Sequence, residues 1–247
     1  ATPAGAIFTN YNQTARANMR TANMFGFLIG DTFGQNVNSV FTASQGTAWN
    51  WGSTAVTLLP YSSAPTGVYF DAMGGAWAQN SAASFSLKHV ATQGAYVFLD
   101  ISVDRSVTLS NVQYGGANMT LLGSTGSGAA ALYRYGYGPV ATGGLATVSG
   151  TFSVASWNTI NTVSYLGMGH AAAPTTVTGS TLPSQTVSCG VGQVVLESIG
   201  IYSGIPTGVS GGKNLWNFGT SNNGLAISQA VSGSTTFTAT NTTAWGA

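Results

Sequence analysis

Residues 95–103 read Ala95-Tyr96-Val97-Phe98-Leu99-Asp100-Ile101-Ser102-Val103. Apolar, aromatic and β-branched residues fill this stretch, and it holds no Gly or Pro. That composition suits the half-buried, pleated environment of a β-strand. The flanks repeat the reading. Upstream, Ser84-Phe85-Ser86-Leu87-Lys88-His89-Val90 alternates apolar and polar residues, the period of a strand with one face inward. Downstream, Val107 to Tyr114 runs into Gly115-Gly116, a two-residue hairpin signal, and Asn118 to Leu122 reads as the returning strand.

Further short strands are expected over Val68–Asp71, Ala130–Tyr137, Ala146–Val154, Thr162–Met168, Val194–Tyr202 and Thr235–Thr240. Turn residues separate most of them, and no amphipathic helices intervene, so a doubly wound α/β fold is excluded. The prediction is an all-β fold: an antiparallel β-sandwich of jelly-roll or immunoglobulin-like type. Pro65-Thr66-Gly67 is turn or linker material, which divides the chain into residues 1–67, an N-terminal attachment or assembly region, and residues 68–247, the sandwich domain.

The N-terminal region reads differently. Thr14 to Phe25 has no Gly or Pro, and Thr14 suits an N-cap, so one short helix is predicted there. Arg16 and Arg20 would share its polar side, either solvated or docked on a neighbouring subunit. Trp49 and Trp51 alternate across one residue, as neighbours on one strand face do.

Charged residues make up only 4% of the 247 positions, against about 25% in ordinary soluble domains. The polar surface therefore has to be built from Ser, Thr, Asn, Gln and Gly. A formal net charge of +1 provides little mutual repulsion, so copies of the chain are expected to associate. Six Lys and Arg residues spread along the chain form no basic patch, which argues against nucleic-acid binding. The mean hydropathy of +0.20 comes from dispersed Ala, Val and Leu, and no run approaches the roughly 18 apolar residues of a membrane-spanning helix. The N-terminal residues carry no signal-peptide pattern. Cys189 stands alone, so no internal disulfide forms, and it reads as a small buried hydrophobe.

Several segments together form a recognisable series. Phe70-Asp71-Ala72-Met73-Gly74 opens it. Val112-Gln113-Tyr114-Gly115-Gly116-Ala117-Asn118-Met119-Thr120-Leu121-Leu122-Gly123-Ser124 is a hairpin, followed by Leu132-Tyr133-Arg134-Tyr135, Val163-Ser164-Tyr165-Leu166-Gly167 and a late Trp245-Gly246. This series, over residues 68–247, resembles the β-sandwich module of minor tail proteins from phages of mycobacteria and other actinobacteria, a module also found in secreted bacterial proteins. The resemblance implies a sandwich fold and a phage-tail or cell-surface setting, and it carries no catalytic residues. Two departures stand out. The charge content is lower than in the usual module. The module also normally continues beyond Trp245-Gly246-Ala247 into a last apolar strand, expected from further chain or from a neighbour. Residues 1–67 carry no resemblance.

Catalytic constellations are weak in this sequence. The acids are Asp31, Asp71, Asp100, Asp104 and Glu197. Asp31 and Asp71 adjoin turns, and Asp100 and Asp104 share a strand face by parity. A glycosidase would need two of these to converge in a cleft. The two histidines, His89 and His170, are the only bases available to a serine triad, no nucleophile-elbow motif occurs, and His89 is expected to face solvent. Metal-ligand spacings are missing, apart from a calcium possibility at Asp100 and Asp104. No catalytic, cofactor-binding or metal residue is therefore assigned.

Aromatic residues hold more functional promise. Tyr133, Tyr135 and Tyr137 alternate on one strand face, with Arg134 on the other. Core packing is the ordinary role of such a row; a platform for glycan or a subunit contact, shared with Trp49 and Trp51, is the functional one. The leading expectation is a structural component of a phage virion, a minor tail protein that self-associates, binds other tail proteins and touches the host surface. The alternatives are a secreted or cell-surface carbohydrate-binding adhesin and, third, a glycan hydrolase.

Overall fold

A computed structural model of the chain describes residues 67–247 except 76, 180 and 241–243, together with four short strands before them. The chain divides into two compact units, Ala1–Thr66 and Gly67–Ala247.

In the first unit, β1 (Thr9–Tyr11) pairs antiparallel with β4 (Thr42–Ser44), and β2 (Thr14–Arg20) with β3 (Gly26–Asp31). The helix predicted from Thr14 is thus corrected to a strand. A helix of about 12 residues is marginal on its own in water. Register pairing from Thr14 opposite Asp31 to Arg20 opposite Gly26 gives the same backbone its hydrogen bonds in another way. Arg16 and Arg20 lie on this strand, so the docking argument built on a helix face falls with the helix. Trp49 and Trp51 lie outside the described residues.

The second unit holds two antiparallel sheets. The eight-stranded sheet comprises β5 (Tyr69–Met73), β6 (Trp77–Ala91), β7 (Tyr96–Asp104), β8 (Leu109–Tyr114), β9 (Ala117–Asn118), β10 (Thr120–Ser127), β11 (Ala130–Tyr137) and β12 (Gly144–Leu166). Its order is β10-β11-β7-β12-β8-β9, with β5 and β6 also on β12. The five-stranded sheet has the order β13-β17-β14-β16-β15, from β13 (Thr178–Gly179), β14 (Ser184–Tyr202), β15 (Lys213–Gly219), β16 (Asn223–Thr238) and β17 (Trp245–Gly246).

The predicted strands at Ala146–Val154 and Thr162–Met168 are one 23-residue strand, β12. Its pairing with β6 slips between Thr151 and Ser156. Such irregularities bend and twist a strand. Along β12, β6 pairs from Gly144 to Ile160 and β8 from Val148 to Phe152, while β7 pairs from Asn158 to Tyr165 and β5 from Val163 to Leu166. The sheet therefore curls until it is nearly closed.

Inside the curl lie Phe85 and Leu87 of β6, the odd-numbered Val97, Leu99, Ile101 and Val103 of β7, Val112 and Tyr114 of β8, and Val148, Phe152 and Ile160 of β12. The even-numbered residues of β7 look the other way, toward the five-stranded sheet. Phe98 clusters there with Val163 and Tyr165, against Val194 and Leu196 of β14. Leu132 meets Leu225 and Ile227 of β16. The even face carries Phe98 with Asp100 and Ser102, yet β7 is a middle layer, buried from Val97 to Val103 without interruption.

The Gly115-Gly116 turn forms as expected. Both glycines have positive φ, 58° and 87°, which the two-residue hairpin turn requires. The hairpin is short, however: Gln113 pairs with Asn118 and Tyr114 with Ala117, after which β10 leaves to pair with β11.

Candidate functional site

Parity and register together place a charged pair between the two sheets. Arg134 on β11 sits directly opposite Asp100 on β7, and Asn161 on β12 lies opposite Asp100 on its other side. Asp100 is fully buried, at 0% exposure. Its carboxylate accepts from Arg134 Nε at 2.7 Å and Nη2 at 3.2 Å, and from Ser198 Oγ at 2.8 Å. Arg134 also donates through Nη1 to the Leu196 carbonyl at 2.7 Å and through Nη2 to Ser198 Oγ at 2.7 Å. A single guanidinium thereby ties β7 and β11 to β14 of the opposing sheet. Burial alone would lower the Arg134 pKa; the charge and hydrogen bonds of Asp100 more than offset this, so it rises.

Beside this pair lies Glu197, 5% exposed, whose Oε1 has no hydrogen-bond partner. Burial pushes its pKa from 4.5 up to about 7, with Asp100 adding to the rise and Arg134 opposing it. Tyr165 is also raised, by burial first, and its hydroxyl donates to Gln229 Oε1 at 2.7 Å.

Arg134, Tyr165, Glu197 and Ser198 border a cavity of about 350 Å³, within the roughly 300–1,000 Å³ range of small-molecule sites. Phe98, Leu122, Leu132, Val194 and Leu196 form apolar walls, residues 171–174 run along one side, and Arg134, Glu197, His170 and Cys189 also line it.

Glu197 carries a pH prediction. With its folded pKa above the unfolded value, the native chain keeps a proton that the unfolded chain gives up. The stability contributed by neutral Glu197 is complete below pH 4.5 and is lost as pH rises to about 7, a decline of about 3 kcal/mol. Glu197→Gln stays neutral, so its urea midpoint matches the parent at pH 4 and exceeds it at pH 8. Equal midpoints at both pH values would contradict the burial of an ionisable carboxyl.

The remaining acids are engaged elsewhere. Asp71 accepts from Thr92 N and Oγ1 and from Ser164 Oγ, joining β5 and β12 to the turn after β6. Asp104 caps a local turn through Ser106 N and Oγ. His89 is a correction. It is buried rather than solvated, since it shares the inward parity of Phe85 and Leu87, and its Nδ1 lies 2.9 Å from Thr162 Oγ1. Among the described residues no group of three or more His, Cys, Asp and Glu comes together as a metal site.

The tyrosine row also needs correction as a binding platform. Tyr135 is 7% exposed in the inner core, Tyr133 packs on that core and donates its hydroxyl to the Val107 carbonyl at 2.9 Å, and Tyr137 stacks on Tyr114 at 5.1 Å between ring centroids. The three do share a face, but that face is the inside of the curled sheet.

A more accessible aromatic group lies at one end of the sandwich and has no signature in the sequence. Trp157 and Tyr202 stand 5.7 Å apart between ring centroids, with Tyr202 40% exposed. Ser203, at a φ of 67°, donates its backbone N–H to the Asn222 carbonyl, and Asn222 Nδ2 donates to Asn80 Oδ1 at 3.4 Å. The exposed Asn80 and Asn222 amides are thereby tied to the chain next to Tyr202. The residues come from β6, β12, β14 and the β15–β16 turn, and no local pattern links them. Comparison of the chain with protein-family models, curated proteins and solved structures gives no match in any of the three.

Proposed function

We propose that this chain is a non-enzymatic structural component of a bacteriophage virion, a minor tail protein that assembles with copies of itself and with other tail subunits. The observation that carries the assembly reading is the state of the sheet edges. The edge strands β10 and β15 have the sequences TLLGSTGS and KNLWNFG, with Lys213 as their one charged residue. Edge strands of free proteins are usually guarded by charge or Pro, because their open backbone groups recruit further strands. Exposed apolar side chains add to this, with Val191 96% and Val231 63% exposed, on a chain with little charge to keep copies apart. The phage setting rests on the resemblance of residues 68–247 to tail modules.

Light scattering on the purified chain tests the assembly. Its mass should rise with concentration, and Leu121→Lys on β10, where Leu121 is exposed, should shift it toward monomer. A monomer at all concentrations that also ignores other tail proteins would defeat the reading.

The Trp157–Tyr202 group favours a second reading, a carbohydrate-binding adhesin at a phage tip or cell surface. Aromatic faces with polar amides nearby suit sugar rings, which present apolar C–H faces and hydroxyl edges. Trp157→Ala should weaken binding to host cell-wall polysaccharide at least tenfold while leaving the melting curve in place. Unchanged binding would remove this site from consideration.

A further inference from the structure

The buried charged groups around β14 are one positive charge short. Arg134 and Asp100 cancel, and Glu197 adds a second carboxylate whose Oε1 meets no donor. The charges acting on Glu197 among the described residues are Arg134 on β11, which favours its ionised form, and Asp100 on β7, which opposes it. Arg134 is already committed to Asp100, Ser198 and the Leu196 carbonyl. The nearby Tyr165 hydroxyl is committed to Gln229. A buried carboxylate in this position demands a cation or a proton.

The adjoining cavity of about 350 Å³ has apolar walls and this one unsatisfied acceptor at its border. We propose that the cavity is a binding site for a small organic ammonium ion, an apolar body with a single cationic head that pairs with Glu197. The head supplies the missing charge, and the body covers Phe98, Leu122 and Leu196. A neutral molecule would fill the space without satisfying Glu197, and a carboxylate would add a third negative charge. When Glu197 is protonated, binding has to expel that proton, so occupancy is coupled to pH. The cavity shares β10 with the proposed assembly edge through Leu122, but its test reads ligand binding and does not require assembly.

Hexylamine, charged throughout the range used, is a suitable probe for calorimetric titration of the full chain, with hexanol as its neutral counterpart. The expected result is saturable binding of hexylamine at pH 8 that is at least tenfold tighter than that of hexanol. Between pH 8 and pH 5.5 the affinity should fall more than tenfold, with a proton released on binding at pH 6. Glu197→Gln should lose both the preference for the amine and the pH dependence while remaining folded. Arg134, Tyr165, His170 and Cys189 are the other titratable side chains lining the cavity, and His170→Asn should keep the pH dependence. Cys189, the single cysteine of the chain, also lines the cavity, so saturating hexylamine should slow its modification by a small thiol reagent. The proposal is overturned by absence of saturable hexylamine binding to the folded chain, by hexanol binding as well as hexylamine, by Glu197→Gln binding unchanged, or by a Cys189 reaction rate that hexylamine leaves unaltered.

Discussion

Arg134→Met is expected to lower the unfolding free energy by about 3–5 kcal/mol, the usual cost of breaking a buried ion pair from one side. The reason lies less in the attraction lost than in what is left behind. Asp100 is fully buried between the sheets, and two of its three side-chain donor contacts come from Arg134. Met preserves most of the apolar stem but leaves a fully buried carboxylate with Ser198 Oγ as its remaining side-chain donor. The Leu196 carbonyl and Ser198 each lose a donor as well. Removing both charges should behave differently. Arg134→Met combined with Asp100→Leu replaces an ion pair by apolar groups of similar size, which is often neutral or stabilising. The double variant should therefore recover most of the loss, giving a coupling energy of at least about 2 kcal/mol in a double-mutant cycle from urea unfolding. A single variant costing less than about 1 kcal/mol, or a double variant no better than the single, would show that the pair does not hold the layers together.

The second large effect is expected at Leu99. It is 0% exposed, sits on the middle strand β7, and faces the inner core, where Val97, Ile101, Tyr135 and Val148 also point. Neighbouring strands pin its backbone on both sides, opposite Tyr135 on β11 and Thr162 on β12. A strand held in this way cannot move to fill a hole. Leu99→Ala should thus cost about 3–5 kcal/mol, in the upper range for buried Leu→Ala changes. For a unit of this size that corresponds to a fall in melting temperature of roughly 10 °C. Leu145→Ala, at an exposed position on β12, should change stability by no more than about 0.5 kcal/mol. Similar losses at the two positions would mean that the packing around β7 is not as described.

Both effects turn on the strand that residues 95–103 already announce in the sequence. Its composition, the alternation of Ser84 to Val90 and the paired glycines at 115–116 are local signals, and they suffice for an all-β, antiparallel fold. Ala130–Tyr137 is a strand with the bounds expected of it. Parity along that strand is enough to separate Arg134 from Tyr133 and Tyr135.

Other features depend on partners distant in the chain. The pattern from Thr14 to Phe25 suits a helix when considered alone, yet Thr14–Arg20 pairs as a strand with Gly26–Asp31. Two expected strands merge into β12 because a slip in pairing bends the strand without ending it. The tyrosine row lies on one face, as its spacing requires, but alternation cannot say whether that face turns outward or into a closed curl. His89 departs from its expected solvent position for a related reason: Lys88 and His89 take opposite faces, and the apolar neighbours at 85 and 87 decide which one is buried.

Side-chain types and their spacing along single segments are enough to establish that this chain forms antiparallel strands, where most of them run, and that its surface carries almost no charge. Tertiary packing alone settles that β7 is buried on both faces, that Arg134 meets Asp100 across two strands, and that Glu197 is left beside a cavity without a donor. Those outcomes depend on which layer comes to lie over which, a matter of contacts between residues separated by tens of positions, and no local pattern encodes them.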